Sequence, residues 1–323
     1  MKMRVLAAIL ALAMLLALIP AMGEGTALGY RFADADEAAE LLLANRTYYE
    51  NMNQMDIDFR LQRKGGTLEE LEAFAAEQTR DFTDQEKAAV DGAMAFIEDA
   101  CARQGYTLPP LEDIVFCKTT MEEECGAGGY THETQIYLGE QTLSYGLMAN
   151  DAAAAYFREI VTHEVFHCLT RAFPQFRAAM YAVLGFTVED ADYDLPQAVW
   201  DRVISNPDVA HHDSHAAFII GGEPVDCVVL FTCSKPFEKA GDSFFGSMET
   251  SLVPVDDLST VYTKDDAENF WEVFGGNTTY VIDPEETMAD NFAYTVVYGL
   301  EGKNYATPEI IQAIDAYLKS PSF

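Results

Sequence analysis

The chain has 323 residues, of which 20 are lysine or arginine and 53 are aspartate or glutamate, so its formal net charge is −33. This acidic excess repels polyanions and argues against a protein that binds DNA, RNA or an anionic membrane surface. The length is enough for one large domain or two lobes with a substantial hydrophobic core.

The first 23 residues have the pattern of a secretory signal peptide. Lys2 and Arg4 precede an apolar stretch, and a helix-breaking proline and small residues follow up to Gly23. We therefore expect cleavage after Gly23 and a secreted or otherwise extracytoplasmic protein. A membrane anchor is the alternative, because about 15–18 apolar residues nearly span a thin bilayer. No later segment reaches 18 uninterrupted apolar residues, so we expect no membrane contact after cleavage.

The first half of the mature chain is expected to contain capped helices followed by strands. Thr67 with Glu70, and Thr83 with Glu86, match a capping box, in which two side chains bind free amides at a helix start. Two stretches rich in strand-forming residues then flank a glycine-rich turn. The pattern predicts helices near 36–49, 67–80 and 84–104, strands at 111–120 and 134–141, and a turn at 126–129.

A long apolar helix is predicted after the second strand. Asn150 is a natural N-cap, and Pro174 ends the helical pattern. The stretch VTHEVFHC within this helix places His163 and His167 four positions apart, with Glu164 directly after the first histidine. Residues at i and i+4 share one helix face, so we expect both imidazoles to point into the protein.

The second half of the chain has fewer periodic stretches. An α+β fold is expected, in which a small mixed sheet from the strands at 112–119 and 134–140 packs on the motif helix. Residues 24–172 would form an N-terminal lobe, and residues 173–323 a mostly helical C-terminal lobe with an inserted β-hairpin. The elements predicted there are mostly helix at 175–204, a hairpin of 216–220 and 226–232, irregular chain at 235–282, and helices at 283–300 and 307–318.

The spacing of the two histidines suits a zinc site. Imidazoles one helical turn apart can both reach an ion at about 2.0–2.1 Å, and a glutamate at the next position can reach a water on that ion. Zinc lowers the pKa of such a water to about 7, so Glu164 would take its proton at neutral pH. His163 and His167 are therefore predicted ligands and Glu164 the general base. The alternative is a pair of ordinary core histidines.

A catalytic zinc site also needs a third protein ligand and one open position. In the stretch DPEETMADNF, Glu286 and Asp290 lie four positions apart on one predicted helix. Glu285 is an adjacent alternative ligand. A simpler interpretation is that Glu286 completes a capping box with Asp283 at the helix start.

The HExxH motif and the downstream ExxxD together resemble the gluzincin superfamily of zinc metallopeptidases. The resemblance implies a zincin-like fold and a zinc ion bound by His163, His167 and Glu286. It also implies that Asp290 orients a ligand histidine through its ring N–H. It covers the two predicted helices and the strands before the first of them.

Other residues are candidates for parts of the site. The histidines of NPDVAHHDSH, which are His211, His212 and His215, are an alternative source of a third ligand. His212 is also a candidate for hydrogen bonding to the substrate oxyanion. Tyr294, two turns beyond Glu286 on the same predicted helix, is another candidate for hydrogen bonding to the oxyanion. Their simpler interpretations are a polar surface turn and a core aromatic residue.

An even number of cysteines in an exported chain predicts disulfides, whose pairing the sequence leaves open. The six cysteines are Cys101, Cys117, Cys125, Cys168, Cys227 and Cys233.

The predicted function is a secreted zinc metallopeptidase that binds an extended peptide as an added strand beside residues 134–140. One alternative is an exported, non-catalytic binding protein on the same scaffold, which holds a peptide or a surface glycan. Another is a disulfide-stapled structural domain without a metal.

Overall fold

The structure, a computed structural model, describes residues 28–322. The predicted signal peptide lies outside these residues. The described part has an α+β fold, which confirms the predicted class. Its strands are β1 (Leu28–Phe32), β2 (Thr79–Arg80), β3 (Leu111–Thr119), β4 (Gly129–His132), β5 (Gln135–Gly139), β6 (Thr187–Val188), β7 (Ser214–Ile220), β8 (Glu223–Cys233), β9 (Met248–Pro254) and β10 (Tyr262–Thr263).

Helices make up most of the remaining regular structure. Three single turns of 3₁₀ helix join them at Glu122–Glu124, Phe245–Ser247 and Lys264–Asp266. The α-helices are α1 (Ala35–Ala44), α2 (Arg46–Glu50), α3 (Gln54–Arg60), α4 (Leu68–Ala76), α5 (Asp84–Gln104), α6 (Glu140–Leu147), α7 (Asp151–Ala172), α8 (Pro174–Val183), α9 (Gln197–Trp200), α10 (Phe270–Phe274), α11 (Pro284–Tyr298) and α12 (Pro308–Lys319).

The first sheet has the strand order β1-β3-β5-β4, with β2 paired to β3. Strands β1, β3 and β5 are parallel, whereas β4 runs antiparallel to β5. The last six residues of β3 are all buried, as expected for a parallel strand covered on both faces. Both predicted strands are confirmed, and β4 is a further strand that the sequence pattern did not predict.

The position of β5 corrects the prediction that a peptide pairs with residues 134–140. Strand β5 lies between β3 and β4, so its hydrogen-bonding groups already have partners on both sides. The edge strand beside the motif helix is β4 instead.

Helix α7 carries the HExxH motif and begins where its cap was predicted. The side-chain oxygen of Asn150 accepts hydrogen bonds from the backbone N–H groups of Ala152 and Ala153, at 2.9 and 3.1 Å. The helix packs against β3, β4 and β5, and its second half is almost entirely buried. The motif therefore lies between the first sheet and the rest of the protein.

Helix α11 packs along α7 and also contacts α5, α8 and α12. The carboxylate of Asp283 caps it by accepting a hydrogen bond from the backbone N–H of Glu285 at 2.8 Å. Glu286 does not take part in this cap, because both of its oxygen atoms bind other side chains. Proline at the first helical position, a common start, accounts for the accurate prediction of this boundary.

The second half of the chain contains more strand than expected. The predicted hairpin is present as β7 and β8, but it forms the centre of a five-stranded antiparallel sheet of order β10-β9-β8-β7-β6. Strand β9 falls in the segment predicted to be irregular. Its last five residues are all buried, which removes the alternation by which strands are recognised. The helix predicted at 175–204 ends at Val183, and β6 follows.

A single group of buried apolar side chains joins the two sheets. It runs from β1, β3 and β5 through α5, α7 and α11 to β7, β8 and β9. Helices α7 and α11 lie in the middle of this core, which holds the two helices in a fixed relation to each other.

The six cysteines are free thiols in the structure, so the predicted disulfides are absent. Five of them are buried, and Cys125 is half-buried. Cys227 and Cys233 lie at positions of β8 that pair with opposite ends of β9. Apolar packing, in which a cysteine behaves as a small hydrophobic residue, accounts for their burial. Across residues 28–322, no helix is long and apolar enough to cross a bilayer.

Candidate metal centre

The two histidines of α7 converge on one carboxylate of α11. The Nε2 atoms of His163 and His167 lie 3.1 and 3.5 Å from Oε2 of Glu286. Ligand atoms held at about 2.0–2.1 Å from one ion at tetrahedral angles are about 3.4 Å apart. Both histidine–glutamate distances are therefore close to those between ligands of one zinc ion, and all three ligand atoms lie within 4.8 Å of one another.

The opposite nitrogen atom of each imidazole is held by another carboxylate. His163 Nδ1 lies 2.9 Å from Oδ1 of Asp290, and His167 Nδ1 lies 2.9 Å from Oε1 of Glu285. Hydrogen bonds at Nδ1 favour the tautomer that leaves Nε2 free for a metal. Asp290 thus has the position predicted for it. Glu285, the alternative ligand, lies on the far side of His167 and serves as its hydrogen-bond acceptor.

The site has an unpaired nitrogen atom where an ion would lie. His167 is 0 % exposed, and its Nε2 atom has no hydrogen-bond partner. A buried polar atom without a partner is costly, and a bound ion at this point would remove that cost. Two histidines and a glutamate are also a common donor set for catalytic zinc. These residues therefore fit a zinc ion.

The local charge also fits a cation. Two imidazoles are surrounded by carboxylates, none of which forms an ion pair with a lysine or arginine within residues 28–322. Buried carboxylates are usually paired or bound to metal ions. The five carboxylates are Glu164, Asp208, Glu285, Glu286 and Asp290.

The pKa values of the three predicted ligand side chains differ strongly from their usual values. Burial disfavours charge on His163, but its hydrogen-bonded carboxylates outweigh burial and raise its pKa well above the usual value. Burial also disfavours charge on His167, but the negative charge of Asp208 and the hydrogen bond with Glu285 outweigh burial and raise the pKa of His167 to about 10. Burial alone would raise the pKa of Glu286, yet the hydrogen bond with His163 and the nearby His167 imidazole hold this pKa well below its usual range. A divalent cation would compete with these protons, so binding should weaken in acid.

Glu164 lies beside the converging ligands, on the side of β4. Its Oε2 atom accepts a hydrogen bond from the hydroxyl of Thr131 at 2.9 Å, and the residue is 3 % exposed. A Cβ atom on Gly129 would lie 2.8 Å from Oε1 of Glu164. The first residue of β4 therefore has to be glycine for Glu164 to keep this position. Burial raises the pKa of Glu164 against the opposing charges of the two histidines, which suits a proton acceptor.

Asp208 is part of the site, although the sequence pattern identified it only as a turn residue. Its Oδ1 atom lies 4.0 Å from His167 Nε2. Ligand atoms of Glu164, His167 and Asp208 all lie within 4.8 Å of one another. Oδ1 also accepts a hydrogen bond from the backbone N–H of Thr131 in β4, at 2.6 Å. Burial raises the pKa of Asp208 well above its usual value.

Two further residues that the sequence pattern did not indicate bind the other oxygen of Glu286. The Asn206 amide and the Tyr280 hydroxyl both donate to Oε1 of Glu286, the latter at 3.0 Å. Tyr280 is 37 % exposed, so it forms part of the surface that covers the ligands. Neither residue has a local sequence signal, because each reaches the site from a loop.

The structure does not bring the remaining candidates to the ligands. His211 binds Asp192, and His215 accepts or donates a hydrogen bond with Tyr193 at 2.8 Å. His212 packs edge-on against Trp200. None of the three histidines belongs to the group of ligand atoms that His163, His167 and Glu286 form. His212 as a donor to a substrate oxyanion stays a prediction.

Tyr294 lies on α11, where burial and the charge of Asp290 raise the pKa of its hydroxyl. The ammonium group of Lys303 lies 3.3 Å from the centre of its ring, and the residue is 8 % exposed. This packing fits the simpler interpretation of a core aromatic residue, and Tyr294 as a donor to the oxyanion stays a prediction. The hydroxyl of Tyr280 binds the ligand residue Glu286 directly.

Two large cavities flank the segment that contains Asp208. One, of about 690 Å³, is lined by Tyr48, His132, Trp200 and Asn206 among others. The other, of about 700 Å³, reaches Asp208 and Glu285. Both volumes are within the range of small-molecule and peptide pockets.

The arrangement offers two imidazole donors, one carboxylate donor and a free carboxylate next to them. This combination can hold a divalent cation and transfer a proton beside it. No protein family, curated protein or solved structure matches the chain.

Proposed function

We propose that this chain is a secreted zinc metallopeptidase of the gluzincin type, with a zincin-like fold. The observation that carries the proposal is the convergence of His163, His167 and Glu286. The two imidazole–carboxylate distances are near those of tetrahedral zinc ligands, and both histidines are oriented by carboxylates. The proposed location outside the cytoplasm depends on the sequence pattern of residues 1–23.

In this function, His163, His167 and Glu286 would hold zinc. When bound, zinc would polarise the scissile carbonyl group and make an attacking water more acidic. Asp290 and Glu285 keep the two imidazoles in the orientation and tautomer that binding requires.

Glu164 would act as the general base and then as the general acid. It would accept a proton from the attacking water and deliver it to the leaving amine. The hydroxyl of Thr131 donates to Oε2 of Glu164, so Oε1 is the atom available for proton transfer. The raised pKa of Glu164, caused by burial, favours uptake of that proton.

The substrate would be a peptide or protein that lies along the edge of β4. This strand borders Glu164 and carries the only edge of the first sheet beside the motif helix in the described part of the chain. An extended peptide can bind such an edge through main-chain hydrogen bonds. The acidic charge of the protein disfavours nucleic acid as a substrate.

A second candidate function is favoured by the loop residues that cover the predicted ligands. Asn206 and Asp208 lie over the ligands and bind Glu286 and Thr131. A permanently covered ion would be structural, since structural zinc sites are closed whereas catalytic ones keep an open position. The chain would then be an exported, non-catalytic zincin-like protein that binds a peptide or a surface glycan.

The test compares wild type, Glu164→Gln, Glu286→Ala and the control Glu301→Gln, whose side chain is exposed. We expect wild type and the control to contain one zinc and to cleave a mixed library of quenched fluorescent peptides. Glu164→Gln should keep zinc and lose cleavage, and Glu286→Ala should lose zinc. Zinc in wild type without cleavage of the library would support the binding protein, and full zinc content in Glu286→Ala would refute the ligand assignment.

A further inference from the structure

We propose that a small cavity between β4 and the loop at residues 205–208 binds one small apolar side chain of the peptide substrate, that of a residue next to the scissile bond. The substrates would then be peptides with alanine or valine at that position. This proposal rests on the proposed function, because it concerns the same reaction. We call the cavity the small pocket; the residues that line it include Arg60, Gly129, Asn206, Phe231, Phe244 and Tyr280.

The small pocket lies beside the residues to which metal binding and proton transfer are assigned. Two of its lining residues, Asn206 and Tyr280, donate hydrogen bonds to Oε1 of the proposed ligand Glu286. A third is Gly129 of β4, where a Cβ atom would lie 2.8 Å from Oε1 of Glu164. Successive residues of an extended peptide are about 3.3 Å apart. The side chain that reaches this pocket therefore belongs to a residue beside the cleaved bond.

The volume of the small pocket limits the side chains that fit. It is about 50 Å³, whereas the two cavities that flank the segment with Asp208 are about 690 and 700 Å³. A cavity needs roughly 10–15 Å³ to hold one water-sized group, so this pocket holds roughly four such groups. The side chains of alanine and valine fit within that limit, and an aromatic ring or a lysine side chain does not.

The charged groups that line the small pocket already have partners. The guanidinium of Arg60 is buried and donates to two carboxylates, a tyrosine hydroxyl and the Ser205 carbonyl. The two carboxylate oxygens of Glu124 accept from the Tyr48 hydroxyl and from Arg60. A polar side chain would therefore lose water without gaining a partner, whereas an apolar one would bury its surface.

Asp208 is the remaining charged residue of the lining. Its Oδ1 atom accepts the backbone N–H of Thr131 at 2.6 Å. A lysine side chain is the occupant that this carboxylate would attract, so the test includes lysine as the competitor of alanine and valine.

The ring of Phe244 is a wall of the small pocket that is held in place from α3. It lies edge-on to the ring of Phe59, with the centres 5.7 Å apart, and the Arg60 guanidinium lies 5.2 Å from its own centre. The ring of Phe245, which is half exposed, packs edge-on against it at 5.1 Å. A shorter side chain at either position would therefore enlarge the pocket.

The test measures kcat/KM of the mature chain on quenched fluorescent peptides that carry alanine, valine, phenylalanine or lysine on either side of the cleaved bond. Mass spectrometry locates that bond. Phe244→Leu enlarges the pocket, and its matched control is Phe237→Leu, because Phe237 is also buried and packs on Phe59 at 5.3 Å but lies outside the lining. Phe245→Ala is a second variant, whose half-exposed ring can be removed with less effect on folding. Thermal melting and zinc content verify each protein.

At one of the two positions, we expect wild type to cleave the alanine and valine peptides at least tenfold more efficiently than the phenylalanine and lysine peptides. The fit of a side chain to an apolar pocket is worth about 10–200-fold in kcat/KM. Phe244→Leu and Phe245→Ala should raise the relative kcat/KM of the phenylalanine peptide about tenfold, and Phe237→Leu should keep the wild-type ratio.

The proposal would be overturned if wild type cleaves the phenylalanine or lysine peptides as efficiently as the alanine peptides at both positions. It would also be overturned by an unchanged ratio in folded Phe244→Leu, or in Phe245→Ala where Phe244→Leu does not fold, and by an equal shift in Phe237→Leu. These results leave the proposed peptidase intact, because the peptides are still cleaved. Absence of any cleavage by zinc-loaded wild type would instead overturn the proposed function, and this proposal with it.

Discussion

Replacing Glu285 by glutamine is expected to weaken zinc binding about 10–100-fold, although this residue does not face the ion. Its Oε1 atom accepts hydrogen bonds from Nδ1 of His167 and the hydroxyl of Thr170, and its Oε2 atom accepts one from Tyr181 at 2.6 Å. Glutamine offers one acceptor oxygen where glutamate offers two. One of the three donors would therefore lose its acceptor, and His167 would lose the charge that makes it a better ligand.

The expected loss of zinc affinity depends on how deeply each carboxylate is buried. The Glu285 side chain is 4 % exposed, whereas that of Asp290, which holds the other histidine, is 19 % exposed. Water screens the charge of the more exposed group. Asp290→Asn should therefore lie near the tenfold end of the range, about 1.4 kcal/mol, and Glu285→Gln nearer the hundredfold end, about 2.7 kcal/mol.

Zinc dissociation constants are measured by chelator competition at one pH for wild type and both variants. A matched control is Asp315→Asn, because Asp315 is also a buried carboxylate that accepts a tyrosine hydroxyl, that of Tyr106 at 2.7 Å, but lies on α12. The reasoning is refuted if Glu285→Gln binds zinc within twofold of wild type, or if Asp290→Asn is the more damaging variant.

Three other changes test separate parts of the structure. Burial raises the pKa of Glu123 from 4.5 to about 7, so folding favours its protonated form, and this stabilisation is complete below about pH 4 and lost as the pH rises through 7. Glu123→Gln should therefore raise the free energy of unfolding in urea by up to about 3 kcal/mol at pH 8 and change it little at pH 4. Gly129→Ala places a Cβ atom against Glu164 and should reduce kcat with zinc content unchanged, as turnover and metal analysis would show. Arg60→Met leaves two buried carboxylates unpaired and should lower the free energy of unfolding by about 3–5 kcal/mol, as measured in urea.

The helices whose ends were predicted correctly have a capping residue or a proline within one turn of those ends. Asn150 and Pro174 mark the two ends of α7, and Asp283 with Pro284 marks the start of α11. A cap or a proline acts within one turn of the chain, so the sequence alone reveals it. Only the central hairpin of the second sheet was predicted, because its outer strands β6 and β10 have two residues each and the last five residues of β9 are all buried.

The sequence alone does not decide whether Glu285 or Glu286 is the metal ligand. Adjacent residues on a helix point about 100° apart, so both carboxylates can approach the histidines. Which of them reaches the Nε2 atoms depends on how α11 packs along α7, and a single sequence does not encode that rotation visibly. Asp208 was missed for a related reason, because it reaches the site only through the packing of its loop against Thr131 of β4.

The reactivity of the buried thiols would report where the folded protein opens locally. Burial raises the pKa of Cys101, Cys117 and Cys227 to about 12, so on the order of one in 100,000 of each is ionised at neutral pH. An alkylating or oxidising reagent reacts with the ionised form and needs access to it. Each sulfur therefore becomes reactive only when its surroundings unfold, and the order in which the cysteines are modified would record the order in which the two sheets and their helices separate.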